Sequence, residues 1–331
     1  MPVYDRTTVP ERVGRGTLDP ELAAWLPRAP VLGADERIAD ARRSHRALGH
    51  GPHPPIGQVR TLVLDGPHGS LPVRAHDPRQ ATGAPRGALV YLHGGGWTVG
   101  TPDEFETPMR LLAEHAGITT YAVDYRLAPE AKYPVQLEEC AFVVRWLVEH
   151  AAEENVDPAR IALGGDSAGG NMTCALTLRF RDEGGPRLAA QAPLYPETAL
   201  PFDTPAGSEN RCGHYLETAG ILLFAWNYLP HDVDLRDPSV SPLHADSHAD
   251  LPPALLVTTG FDPLRDVGHA YAWALAEAGN DLTYVHHPNL THGFLQFTRH
   301  SAVCARATEQ VAEHLRLVIG RGATGRGATG R

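Results

Sequence analysis

No stretch of the chain approaches the ~18 consecutive apolar residues that a membrane-crossing helix needs, which excludes a helical membrane protein. Cysteine is scarce: four residues in 331, Cys140, Cys174, Cys212 and Cys304, widely spaced and without a C-x-x-C pair. That usage speaks against a disulfide scaffold and a thiolate metal site, and buried free thiols are expected. Clustered Lys and Arg are missing too, and the net charge of -10 works against a polyphosphate partner, so no nucleic-acid binding is expected. His286, His287 and His292 fall close together, yet no further ligands at metal spacing surround them, so neither a metal nor a cofactor is expected. The opening MPVYDRTTVPERVGRG has charges and prolines where a signal peptide would carry an apolar run, and the expectation is a cytoplasmic protein. With 42% hydrophobic and 21% charged residues the composition is that of a globular chain, not a disordered one.

What the chain does carry is a change of rhythm. Residues 18–49 read as two helices, LDPELAAWL and ADERIADARRSHRALG. In the second, Ile38, Ala41, His45 and Leu48 share a face, Asp35 and Glu36 come early, Arg42, Arg43 and Arg46 late, and Gly49 follows, an order matched to the helix dipole. A proline-rich link, residues 50–55, leads into a hairpin of residues 58–64 and 71–75 around Gly66 and Gly69. From Gly87 onward, continuous apolar runs (ALVYLH, ITTYAVDY, RIALGGD, AAQAPLY, ALLVTTG, LTYVHH) alternate with helical segments, the pattern of a parallel sheet covered on both faces. The fold class is therefore α/β. Residues 197–250 break the rhythm with Pro, Asp and His and one apolar patch, ILLFAWNYL, and read as an insertion near the site. A last amphipathic helix, Ser301 to Ile319, is expected to stop at Gly320, ahead of a glycine-rich repeat, RGATGRGATGR, expected to be a disordered tail. The organisation expected is cap helices over residues 1–55, a catalytic domain over 56–320 and the tail over 321–331.

Chemistry concentrates at three places. Gly165, Ser167 and Gly169 fit G-x-S-x-G after a short apolar strand and before a helix, where a strained bend lifts a serine hydroxyl clear of the sheet. His93-Gly94-Gly95-Gly96-Trp97 ends the first parallel strand, and three adjacent glycines carry an entropic cost that an ordinary turn does not require. Their use is to bring the N–H groups of Gly94, Gly95 and Gly96, with that of Ala168 after the serine, against a developing oxyanion. His93 and Asp166 support these motifs; His93 is expected to brace its loop, not to act as base. A serine needs a base and the base an orienting carboxylate, in the chain order Ser, acid, His. Asp262 closes the ALLVTTG strand, whereas Asp266 is already inside the next helix. His292, in a loop and followed by glycine, is favoured as base over His287, which is nearer its strand and followed by Pro288.

HGGGW at 93–97, DYRLAPE at 124–130, GDSAGGN at 165–171, DPLRD at 262–266 and HGF at 292–294 together resemble, in order, the motifs of the hormone-sensitive-lipase-like family of α/β-hydrolase carboxylesterases, the bacterial group often called family IV. The resemblance runs from about Gly87 to the last helix. It implies an α/β-hydrolase fold with a mostly parallel sheet and an N-terminal helical cap. It also implies Ser167 as nucleophile, Asp262 as acid, His292 as base, and an oxyanion hole chiefly from Gly95 and Gly96 with Ala168. The family often has an acidic residue where Val267 stands, a difference read as lying on a helix surface. DYRLAPE offers no proton shuttle; Arg126 and Glu130 are expected to hold the loop beside the HGGG turn. The activity implied is hydrolysis of small to medium short-acyl esters through an acyl-enzyme. Amide hydrolysis, deacetylation or acyl transfer on the same triad stays open at this point, as does a small-molecule receptor on a hydrolase fold. The partner expected is a small-molecule ester, with a homodimer allowed. Trp25, Trp97, Tyr195, Phe202, Tyr215, Phe224 and Trp226 are candidates for pocket walls.

Overall fold

The computed structural model describes residues 2–33, 37–80, 83–200 and 203–324. The expected tail beyond 324, Phe202 and the early acids Asp35 and Glu36 lie outside the described residues. Nine strands form one sheet: β1 (Val3–Asp5), β2 (Gln58–Gly66), β3 (Gly69–Asp77), β4 (Arg86–Leu92), β5 (Thr119–Val123), β6 (Val156–Asp166), β7 (Ala190–Leu194), β8 (Ala254–Phe261) and β9 (Leu282–Thr291). Their spatial order is β1-β9-β8-β7-β6-β4-β5-β3-β2. The six strands from β4 to β9 run parallel, and the antiparallel hairpin β2–β3 and the short β1 close the two edges. The central strands are buried along nearly their whole length, as strands covered on both faces must be.

Two short helices, α1 (Pro20–Trp25) and α2 (Ile38–Arg46), precede the hairpin. The layers on the sheet are α3 (Glu106–Ala116), α4 (Val135–Glu149), α5 (Ala168–Asp182), and then, past the insertion helices α6 (Pro205–Glu209) and α7 (Thr218–Tyr228), α8 (Arg265–Glu277) and α9 (Ala302–Thr324). α3 packs on α9 along one face, and α4 and α8 flank α5 on the other, where Cys174 and Leu178 meet Tyr271 and Leu275.

Several sequence expectations need correction. β9 does not end at His287 but runs on to Thr291, because a register shift opposite Thr259 and Phe261 gives Pro288 a place in the strand where its missing N–H breaks no regular ladder. α9 passes through Gly320 to Thr324, since that glycine keeps the helical conformation in place of the left-handed one that would cap it. Cys212 is exposed while the other three cysteines are buried. Val267 is buried in the packed face of α8, not on its surface. Arg126 turns away from the glycine turn, donating to the His68 carbonyl (2.5 Å) and pairing with buried Glu139. It is Glu130 that ties this loop to its neighbours, through Arg42 of α2 (2.7 Å), which also donates to the carbonyls of Thr98 and Ala128.

Candidate active site

Ser167 sits between β6 and α5 at φ 55° and ψ -119°, a conformation a non-glycine residue holds only when its surroundings impose it. The imposing contacts are close. A Cβ on Gly165 or Gly169 would run into the Leu92 carbonyl at the end of β4, so the glycines flanking the serine are required by the approach of two strands and a helix. The Ser167 N–H is held by the Leu194 carbonyl at the end of β7 (2.9 Å). The hydroxyl therefore stands at the C-terminal edge of the sheet centre, where loops from several strands converge.

Two of those loops bring the other expected residues to it. His292, directly after β9, has Nε2 2.8 Å from Ser167 Oγ and Nδ1 2.8 Å from Asp262 Oδ2. Asp262 directly follows β8; its Oδ1 accepts the Leu264 N–H (2.8 Å) and its Oδ2 the Thr259 hydroxyl (3.2 Å). Both groups are fully buried, so a carboxylate here is held by directed hydrogen bonds and not by water. The Tyr195 ring meets the His292 ring edge-on at 4.9 Å. The rival His287 lies elsewhere: its ring packs on Phe294 and lines a separate hollow with Pro2, Val303 and Arg306, and burial lowers its pKa to about 3. Asp266 serves the first turn of α8 and accepts the Ala206 N–H (2.8 Å).

The glycine turn divides its three amides. The Gly94 N–H donates to Asp166 Oδ1 (2.8 Å), an oxygen that also accepts the Tyr91 hydroxyl (2.8 Å), so Gly94 is corrected from oxyanion donor to structural anchor. Burial raises the Asp166 pKa to about 6 against those two hydrogen bonds. The N–H groups of Gly95, Gly96 and Ala168 have no hydrogen-bond partner among the described residues. Gly95 (φ 116°) and Gly96 (φ 57°) occupy conformations that favour glycine, and a Cβ on Gly96 would strike the Phe224 ring. His93 lies against the turn. Its ring stacks on Tyr125 (4.2 Å), its Nδ1 donates to the Gly94 carbonyl (2.8 Å), and burial lowers its pKa to about 4, which keeps it neutral.

A narrow pocket of about 20 Å³ opens beside Ser167, with Gly96 and Ala168 in its wall. Among the described residues the rest of the wall is apolar (Leu32, Trp97, Leu216, Ile221, Phe224, Leu264) except for Glu197. Leu32 comes from the N-terminal segment and pairs with the chain before α7, accepting from Glu217 N–H (3.2 Å) and donating to the Tyr215 carbonyl (2.9 Å). Of the aromatic candidates, Trp97 and Phe224 line this pocket and Tyr195 lies against His292. Tyr215 packs on Phe297, Trp25 packs on Phe297 and His300, and Trp226 faces outward, 66% exposed. Glu197 carried no signal in the sequence: a lone glutamate in a proline-rich insertion has no period and no motif.

A nine-stranded, mostly parallel sheet with a serine on a strained bend at its centre defines an α/β hydrolase, and the family model described as "alpha/beta hydrolase fold" matches residues 89–296. The chain belongs to the hormone-sensitive-lipase-like family of α/β-hydrolase carboxylesterases. It is 39% identical over 320 residues to a carboxylic ester hydrolase of Mycobacterium tuberculosis, LipN, covering 92% of this chain and 84% of that one. It is 34% identical to an ethyl acetate hydrolase of Pseudomonas putida, covering 85% of this chain and 92% of the relative. Among solved structures, an ester hydrolase from the metagenome of Lake Arreo, in complex with a bipyridine phosphonate derivative, superimposes with a TM-score of 0.87 at 32% identity, over 92% of this chain and all of that one.

Proposed function

We propose that this protein is a serine carboxylesterase that hydrolyses small to medium esters with short acyl groups through an acyl-enzyme on Ser167. The observation that carries this reading is the single line of hydrogen bonds from Ser167 Oγ through His292 to Asp262, 2.8 Å at each step. His292 Nε2 takes the hydroxyl proton as Oγ attacks the ester carbonyl carbon, and Asp262 holds the Nδ1 proton and stabilises the imidazolium that forms. The carbonyl oxygen, now negative, turns to the free N–H groups of Gly95, Gly96 and Ala168, donors that are already in place and cost no reorganisation. The imidazolium then protonates the departing alcohol oxygen. Water repeats the sequence on the acyl-enzyme, giving up a proton to His292, and Ser167 recovers its own when the carboxylic acid leaves.

A short acyl group is supported by the narrowness of the apolar pocket beside Ser167 and by a relative named as an ethyl acetate hydrolase. The substrate is a small molecule and the working compartment the cytoplasm, with the helices before residue 55 acting as a cap. The reading is tested with p-nitrophenyl esters of increasing acyl length run beside the matching anilides. Turnover of acetyl to butyryl esters with a steep fall for longer chains, and weak or no anilide cleavage, is expected; anilides cleaved as fast as esters would make the protein an amidase instead.

A further inference from the structure

Glu197 opens the insertion three residues beyond β7 and is 2% exposed, with no ion-pair partner among the described residues. Its Oε2 accepts from Asn171 Nδ2 (3.1 Å), whose other hydrogen goes to the Val240 carbonyl (2.8 Å), and the Ala199 N–H approaches the same carboxyl group. Its Oε1 is buried without a partner among the described residues, in a residue that lines the same pocket as Ser167 Oγ. Burial pushes the acid up to about 8, so at neutral pH it is uncharged and has an O–H to donate. Among the described residues it is, apart from Ser167, the one hydroxyl- or carboxyl-bearing side chain in a wall of leucine, isoleucine and aromatic residues.

A purely structural tie to Asn171 would occupy Oε2 alone. The pocket's volume of about 20 Å³ has room for one water against Oε1 in the free enzyme. An alkyl chain that displaced this water would leave Oε1 buried and unpaired, whereas an oxygen substituent would take over its hydrogen bond. We propose that Glu197 is a specificity-determining residue that pairs with a hydroxyl group of the substrate close to its ester bond, so that the site takes hydroxylated esters in preference to their plain alkyl counterparts. The inference rests on the serine-esterase reading of this site and adds the substrate class.

The experiment compares kcat/KM within two pairs: p-nitrophenyl 3-hydroxybutyrate against the butyrate, which places the hydroxyl on the acyl side, and 2-hydroxyethyl butyrate against propyl butyrate, which places it on the alcohol side. In the parent, the hydroxylated member of one pair is expected to be favoured on the order of ten-fold, the scale of discrimination set by one buried hydrogen bond. Glu197→Leu should remove or invert that ratio, and Glu197→Gln, which keeps a donor and an acceptor, should retain most of it. A parent that favours the alkyl member in both pairs overturns the proposal, as does a ratio unaltered in a folded Glu197→Leu. If circular dichroism shows Glu197→Leu to be unfolded, the parent ratios decide alone. Failure of the parent to hydrolyse any of the four esters would overturn the esterase reading itself.

Discussion

Two histidines five positions apart have opposite surroundings. His292 is bound on both ring nitrogens, to Ser167 and to Asp262, whereas the Nε2 of His287 is buried without a partner among the described residues and its ring rests on Phe294. His292→Ala is therefore expected to lower kcat by about 10⁴-fold or more, since members of a triad act as a unit, while His287→Gln should stay within about ten-fold of the parent per folded molecule. Steady-state kinetics on matched, folded samples check this, and the reverse pattern would reassign the base. The same scale explains the split of the glycine turn. Gly94, Gly95 and Gly96 are indistinguishable as letters; only Asp166, 72 positions away, removes Gly94 from the set of free donors. Long-range partners of this kind leave no local mark.

At the scale of elements, the site is closed by a crossing. The N-terminal segment passes over α7 at Gly33 and Gly220, whose backbones approach so closely that a Cβ on either would overlap the other. Leu32, one residue earlier, and Ile221 and Phe224 of α7 then face the same pocket. Gly220→Val should force the crossing apart and lower kcat/KM by about ten-fold, a loss consistent with overpacking a close contact; parental kinetics in a folded Gly220→Val would mean that this crossing does not shape the pocket. Most of the sheet was legible because strands β4 to β9 are apolar runs with helices between them; Ser167 and Asp262 stood out as candidates because each comes at the end of such a run, whereas His292, five residues past LTYVHH, stood out by its loop and the glycine behind it. β1 was not, as three residues cannot display a period, and Pro288 hid the second half of β9. The face of α7 that meets the pocket was equally hidden: ILLFAWNYL is apolar all round, so no periodicity distinguishes Ile221 and Phe224, which are buried, from Leu222 and Trp226, which are exposed.

For the molecule as a whole, buried titratable groups of both kinds determine how stability depends on pH. Burial lowers His93 and His286 to about 4 and His287 to about 3. The unfolded chain binds protons on these rings below about 6.5 and the folded one does not, so from that pH downward they reduce stability. Burial raises Glu197 to about 8, Glu104 to about 7 and Asp166 to about 6, so the folded chain binds protons there first and stability rises as pH falls from 8 toward 6.5. Between about 6.5 and 4.5 the two sets oppose, and His45, His248 and His269, also lowered by burial, tip the balance downward. Below the unfolded carboxylate range only losses remain, including that of Glu106, which despite burial is held at about 2 by His76 and by Arg110 and Arg74. The urea midpoint is expected to peak near pH 6 to 7, roughly, and to fall steeply below about 4.5; a midpoint that climbs steadily to pH 9 would contradict this balance. The central claim, a covalent acyl-enzyme on Ser167, is tested most directly by acid-quenching the reaction with p-nitrophenyl acetate in its first turnover and mapping the acetyl group by peptide mass spectrometry. The account predicts a burst of p-nitrophenol approaching one per chain, acetylation at Ser167, and neither in Ser167→Ala. An acetyl group carried by another residue, or turnover by Ser167→Ala within ten-fold of the parent, would contradict it.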